Sequence, residues 1–240
     1  MRAGDVLLVA VLYLVIVFGG MLLAKLLLPD GGLKSLITPL QVVHNFVLVV
    51  LSAYMMLESI NQALRTNYKF FGNEVNPTPA GKGMARVLWI FYASKMLEFL
   101  DTFIMVARKS FRQITFLHVY HHVTIFIIWW ITTQHAPGGD GYFCVILNSG
   151  VHVVMYGYYL SVTLGAPLNA IKKYITTMQM TQFVLMMLNA TYNMIFPTKT
   201  YPYYLAVLLE VYMWSLLALF YNFYRKSYVE NAAAKKKKTQ

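Results

Sequence analysis

The chain has 240 residues, 58% of them hydrophobic and 12% charged, with 20 Lys and Arg against 9 Asp and Glu, and one cysteine, Cys144. That much apolar sequence exceeds the needs of one soluble core, and a lone cysteine excludes an intrachain disulfide framework and a Cys-rich metal site. The net charge of +11 does not point to nucleic acid, because the basic residues stand in short clusters between apolar runs and in a tract from Lys235 to Lys238, the pattern of membrane topology.

A helix needs about 20 residues to cross a hydrocarbon layer roughly 30 Å thick, and seven stretches meet this requirement in chain order. Val6–Leu28 comes first, with Arg2 ahead of it and no small-residue cleavage site, so a retained span is expected. The turn Pro29-Asp30-Gly31-Gly32 leads to Leu40–Ile60, and the stretch from Asn73 to Gly83, with Pro77 and Pro79, leads to Val87–Ala107. Ile114–Thr133 follows, then the turn Pro137-Gly138-Gly139-Asp140 and Tyr142–Leu164. Gly165-Ala166-Pro167 separates this from Tyr174–Ile195, and Pro197 with Pro202 precedes Tyr203–Tyr224. The expected fold is all-α: a polytopic membrane protein of seven transmembrane helices, with one catalytic membrane domain over 1–230 and a basic tail over 231–240. No internal repeat or separate soluble domain stands out.

Seven spans put the termini on opposite sides. Thirteen basic residues fall on one side, among them Lys25, Lys34, Arg108, Lys109, Arg112, Lys172, Lys173, Arg225, Lys226 and the four terminal lysines, and six on the other. The positive-inside rule then predicts a lumenal N-terminus and a cytosolic C-terminus. Lys237 and Lys238 stand four and three residues from the end, the spacing of a dilysine retrieval signal, so a multi-pass protein of the endoplasmic reticulum membrane is expected.

Ionisable and amide side chains are costly in a bilayer and usually face a cavity or a partner. Here they cluster. Lys95, Glu98, Asp101 and Thr102 fall at steps of three to four on the third span; His118, His121 and His122 occupy i, i+3 and i+4 on the fourth. Asn148, His152, Tyr156 and Tyr159 make a stripe on the fifth, and Thr176, Gln179 and Gln182 on the sixth. With a rise of about 1.5 Å per residue, the three histidines, Glu98, Gln179 and Gln182 all reach roughly 9–15 Å from the cytosolic ends. Four helices supplying polar groups at matching depth predict a chamber inside the bundle. His44 and His135 read as peripheral.

A cluster of the form HxxHH invites a metal, iron or zinc. Six histidines in all are too few for the boxes of membrane di-iron oxidases; a single zinc on His118, His122, His152 and Asp101 remains the metal alternative. Without metal, neutral imidazoles packed in an apolar setting serve as nucleophiles or general bases, chemistry suited to acyl transfer. Cys144 lies near the far end of its span and is a poor nucleophile candidate. A seven-helix transporter or receptor is the non-enzyme alternative.

The polar stripes carry a resemblance. Lys95-x-x-Glu98-Phe99-x-Asp101-Thr102, Gln113-x-x-Phe116-Leu117-His118-Val119-Tyr120-His121-His122, Asn148-x-x-Val151-His152-x-x-Met155-Tyr156-x-Tyr158-Tyr159 and Thr176-x-x-Gln179-x-x-Gln182-Phe183 together resemble the membrane fatty acid elongases. These are condensing enzymes that extend very-long-chain acyl-CoA with malonyl-CoA. His44-Asn45 departs from the Tyr-Asn that many members carry, and the Gln113 and His118-Val119-Tyr120 pattern is similar to the polyunsaturated-type branch.

The resemblance implies a decarboxylative condensation giving 3-ketoacyl-CoA, CoA and carbon dioxide with no metal or other cofactor. It implies catalytic roles for His121, His118, His122, His152 and Asn148, with Lys95, Glu98, Asp101, Gln179 and Gln182 supporting the chamber. Arg108, Lys109, Arg112, Lys172, Lys173 and Arg225 at the mouth are the expected binders of CoA phosphates. Partners would be the two acyl-CoA substrates, membrane lipid, other elongation-cycle enzymes and a further copy of the chain.

Overall fold

The computed structural model describes residues 2–230, and the tail with Lys237 and Lys238 lies outside them. The described residues contain seven long α-helices and no strand: α1 Ala3–Leu27, α2 Lys34–Arg65, α3 Lys82–Ala107, α4 Phe116–His135, α5 Gly141–Thr163, α6 Lys172–Ile195 and α7 Tyr203–Tyr224, with a π-helical extension Arg225–Glu230. Four are long and apolar enough to cross a membrane by length and composition: α1, α2, α5, and α7 with its extension. The other three are of membrane-spanning length but carry the histidines, the Lys95, Glu98 and Asp101 stripe, or the glutamines. The protein is membrane-embedded, and its outer faces show it: Leu7, Leu8, Val11 and Val15 of α1 and Leu57 and Leu64 of α2 are exposed.

Two helices begin earlier than their apolar runs. α2 starts at Lys34 rather than Leu40, and Pro39 lies inside it. Pro39 has no amide to donate to the Ser35 carbonyl one turn back, and the Thr38 hydroxyl donates to the adjacent Lys34 carbonyl at 2.7 Å. α3 starts at Lys82 rather than Val87 because Gly83 leaves room for the Gln62 side chain of α2, which would collide with a Cβ there.

The helix contacts close a ring. α2 packs chiefly on α5, α5 on α6, α6 on α7, α7 on α4, α4 on α3, and α3 back on α2, while α1 lies outside against α3 and α4. This explains why α1 has no apolar stripe: it is a lipid-facing buttress that buries only Val6, Ala10, Tyr13, Val17 and Ala24. One end of the bundle gathers Lys25, Arg108, Lys109, Lys172 and Arg225; the other is built around Asp140. At the basic end, Gly32 takes a left-handed φ of 67° where a Cβ would meet the backbone of Ala107 and Arg108, so the α1–α2 turn seats on the end of α3.

Candidate active site

The polar stripes meet inside the ring. On α3, Lys95 and Glu98 are one helical turn apart and buried, with Lys95 Nζ donating to Glu98 Oε1 at 2.6 Å. The ammonium also lies 3.9 Å from the centre of the Phe91 ring and 3.4 Å from Asn148 Oδ1 on α5. His152, one turn along α5 from Asn148, brings Nδ1 to 3.5 Å from the same Glu98 oxygen. A buried ion pair has a large desolvation cost and persists where further hydrogen bonds satisfy both partners. Here Asn148 and His152 supply them, so the pair and the two α5 side chains form one unit.

On α4 the three histidines have three different surroundings. Thr115 caps the helix, its hydroxyl accepting from the His118 amide, which starts the helix one turn before the cluster. His118 Nε2 meets the Thr102 hydroxyl at 2.8 Å, and Thr102 in turn meets the Tyr13 hydroxyl of α1 at 2.8 Å. His122 lies beside His118, ring centres 4.4 Å apart and planes tilted by 52°, and its Nδ1 is buried without a hydrogen-bond partner. His121 turns the other way, toward α7, with Nδ1 at 3.3 Å from the Tyr212 hydroxyl.

His121 and Asn148 also line a narrow cavity of about 40 Å³ between α4, α5, α6 and α7. Its walls are Ile125, Trp129, Phe183, Met186, Leu205 and Leu209, and it runs to Cys144 and Tyr201 at the far end. From His121 to Thr132, both on its wall, α4 advances about 16 Å. The cavity is a mostly apolar slot with an imidazole and an amide at one end, a shape suited to a hydrocarbon chain tethered by a polar head.

The structure separates residues that the sequence groups together. Gln182 lines the cavity, whereas the Gln179 amide points to Met155 Sδ at 3.4 Å. Asp101 leaves the chamber: it receives the Tyr156 hydroxyl at 2.7 Å and meets His44 Nε2 at 2.9 Å, so His44 is tied into the α2–α3–α5 contact. At the basic end, Arg108 bonds Thr38 and Gln41, and Lys109 bonds the Leu28 carbonyl. Arg108 is thus tied to the first turns of α2 and Lys109 to the end of α1, while Arg112, Lys172, Lys173 and Arg225 are exposed.

Among the described residues no group of three or more His, Cys, Asp or Glu side chains is arranged to hold a metal ion. His118 is turned to Thr102, His152 to Glu98, and Asp101 to Tyr156 and His44. Tyr13, Thr124 and Tyr212 belong to the site and escape the sequence reading. The available signal is slight: a threonine three residues after His121, and a tyrosine between Glu210 and Ser215 on α7.

Comparison with known proteins agrees with the motifs. A family model described as ELO, the GNS1/SUR4 family, matches residues 4–238. The chain is 42% identical over 197 residues to fatty acid elongase 6 of Leishmania major, covering 78% of this chain and 52% of that protein. It is 43% identical over 202 residues to very long chain fatty acid elongase 5 of Xenopus tropicalis, covering 83% and 68%. Against the protein of that name from Homo sapiens it is 41% identical over 201 residues, covering 82% and 66%. The chain thus spans about half the length of the Leishmania relative and about two thirds of the other two. A match running through nearly every described residue, with the four polar motifs lining one chamber, settles the grouping: this chain belongs to the ELO (GNS1/SUR4) family.

Proposed function

We propose that the chain condenses a long-chain acyl-CoA, of the polyunsaturated type, with malonyl-CoA to give 3-ketoacyl-CoA, carbon dioxide and free CoA. The observation that carries the reading is the apolar cavity with His121 and Asn148 at one end. The names of the relatives support it, and the His118-Val119-Tyr120-His121-His122 box supports the polyunsaturated preference. The bundle would cross the endoplasmic reticulum membrane seven times with the basic end cytosolic, so that CoA phosphates stay in water near the exposed Arg112, Lys172, Lys173 and Arg225.

In this reading the acyl tail fills the cavity and the thioester lies at His121. The imidazole attacks the thioester carbonyl, the carbon–sulfur bond breaks, and CoA leaves as a thiolate that takes a proton from water. Malonyl-CoA then loses carbon dioxide, and the resulting enolate carbon attacks the held acyl group, breaking the carbon–nitrogen bond. Asn148 and His152 would stabilise charge developing on the carbonyl oxygens. Glu98, beside His152 Nδ1, would hold that ring with Nε2 toward the chamber, and His118 and His122 would assist proton transfer. No metal enters the scheme.

The test is elongation by microsomes carrying the chain, supplied with labelled malonyl-CoA and a panel of saturated and polyunsaturated acyl-CoAs. The native chain is expected to extend polyunsaturated substrates best, and His121→Ala to lose activity by about a hundredfold or more. Undiminished elongation by His121→Ala would overturn the assignment.

A further inference from the structure

We propose that Tyr212 is a positioning residue for His121: its hydroxyl oxygen accepts the Nδ1 proton and so keeps Nε2 free to carry the acyl group. This rests on the acyl-imidazole reading and deepens it by naming what selects the reactive nitrogen.

The geometry is local and enclosed. Tyr212 is buried, 4% exposed, and both it and His121 line the cavity. Its hydroxyl lies 3.3 Å from His121 Nδ1 and 3.1 Å from the Thr124 hydroxyl. Thr124 stands on the same face of α4 as His121, three residues on. It bonds its own helix at the Tyr120 carbonyl, 2.7 Å away. Because the single Thr124 hydroxyl proton goes to the Tyr120 carbonyl, the Thr124 oxygen takes the phenol proton of Tyr212, and a lone pair of the phenol oxygen is left facing the imidazole. The ring is thus held by one nitrogen from α7, and the remaining nitrogen is the one free for the substrate.

The chemistry benefits from a proton that stays in place. When Nε2 attacks the thioester, the Nε2–carbon bond forms, CoA thiolate departs and the ring becomes an acyl-imidazolium still protonated at Nδ1. The Tyr212 oxygen stabilises that positive charge in a site without bulk water. When the enolate attacks, the Nε2–carbon bond breaks and its electron pair returns to Nε2. His121 ends as it began, with no proton gained or lost, and the one proton taken up overall goes to the departing thiolate. A ring protonated at Nε2 could not begin this cycle, because its lone pair would face the phenol.

The experiment uses the full chain in lipid nanodiscs with a saturating polyunsaturated acyl-CoA and no malonyl-CoA, quenched over time and read by intact mass and peptide mapping. The native chain is expected to gain one acyl group on His121. Tyr212→Phe, which keeps the ring, should form the adduct at least about tenfold more slowly, with the acyl-CoA concentration for half-maximal rate unchanged. Thr124→Val should fall between the two and Thr124→Ser match the native chain.

Nitrogen-15 spectra of histidine-labelled protein supply a readout that a packing role would not move. The native His121 should be protonated at Nδ1, and Thr124→Val and Tyr212→Phe should show a mixture. An adduct in the native chain formed equally fast by Tyr212→Phe, or a native ring protonated at Nε2, overturns the role of Tyr212 alone. No adduct in the native chain overturns the acyl-imidazole reading and this inference with it.

Discussion

The two ends of the bundle treat buried carboxylates in opposite ways. At one end Asp140, fully buried, receives the Gly72 and Asn73 amides and the side chains of Asn73, Asn189 and Asn193, at 2.6–3.2 Å. Every one of those donors is neutral and each carboxylate oxygen is satisfied, so the group ties the α2–α3 connection to α5 and α6. In the chamber Glu98 faces a lysine and a histidine, and two buried polar atoms have no protein partner: His122 Nδ1 and Gln182 Oε1. A fully satisfied network rigidifies, whereas unpaired buried polar groups have a free-energy cost that persists where a ligand uses them. At the Asp140 joint the carboxylate is satisfied on both oxygens, with Asn193 Oδ1 the one unpaired buried atom among its side-chain partners, whereas the histidine chamber leaves both an imidazole nitrogen and an amide oxygen without a partner.

Substitutions at each end should break along this line. The largest effect is expected for Asp140→Ala, which orphans five donors. It should destabilise the fold by more than about 3 kcal/mol, seen as loss of monodisperse protein on heating in detergent, with loss of activity following loss of fold. The joint also absorbs the formal sequon Asn189-Ala190-Thr191, because the Asn189 amide is buried on Asp140 at 3.2 Å; the native chain should therefore carry no glycan at Asn189 when read by mass, and Asn189→Asp, which sets a second carboxylate against Asp140, should lower thermal stability.

Next comes the ion pair. Lys95→Met alone leaves Glu98 charged and unpaired and should cost about 3–5 kcal/mol. Adding Glu98→Leu should recover most of that stability in the same thermal assay. Elongation should stay depressed in the double variant, since His152 has also lost the carboxylate beside its Nδ1. Recovery of both together would place Glu98 with Asp140 as a purely structural group. Asp101→Asn should be milder still, about 1 kcal/mol, with elongation changed by only a few fold, because Asp101 faces Tyr156 and His44 rather than the cavity.

The smallest effect concerns pH at the joint. Burial pushes the Tyr68 phenol above its ordinary value, the Gly139 amide works against the rise, and Asp140 adds to it. Below the ordinary tyrosine value of about 10 the phenol is neutral folded and unfolded, and it gives no slope. Above it the unfolded chain ionises first, so stability falls as pH rises. Thermal unfolding between pH 9 and 11 should show a slightly shallower fall for Tyr68→Phe than for the native chain.

Much of the chamber was legible beforehand because its residues repeat on the helical period. His118, His121 and His122 announce themselves within two turns, and the stripes on α3 and α5 are spaced for one face each. The roles within the cluster were not legible, since all three imidazoles share one composition and one depth. Asp140 was read as turn punctuation after Gly139, for its donors come from two distant stretches of chain. His44 read as peripheral for the same reason: its partner Asp101 is 57 residues away.

Sequence alone determined the all-helical character, the layer of polar side chains and the family motifs, because apolar runs, turn residues and i, i+3, i+4 spacing are properties of contiguous residues. Tertiary structure alone decided the closure of six helices into a ring, the position of α1 outside it, and which nitrogens of His118 and His121 are held. His121 and Tyr212 are 91 residues apart. A hydrogen bond between them depends on the packing of α4 against α7, and no local pattern encodes that contact.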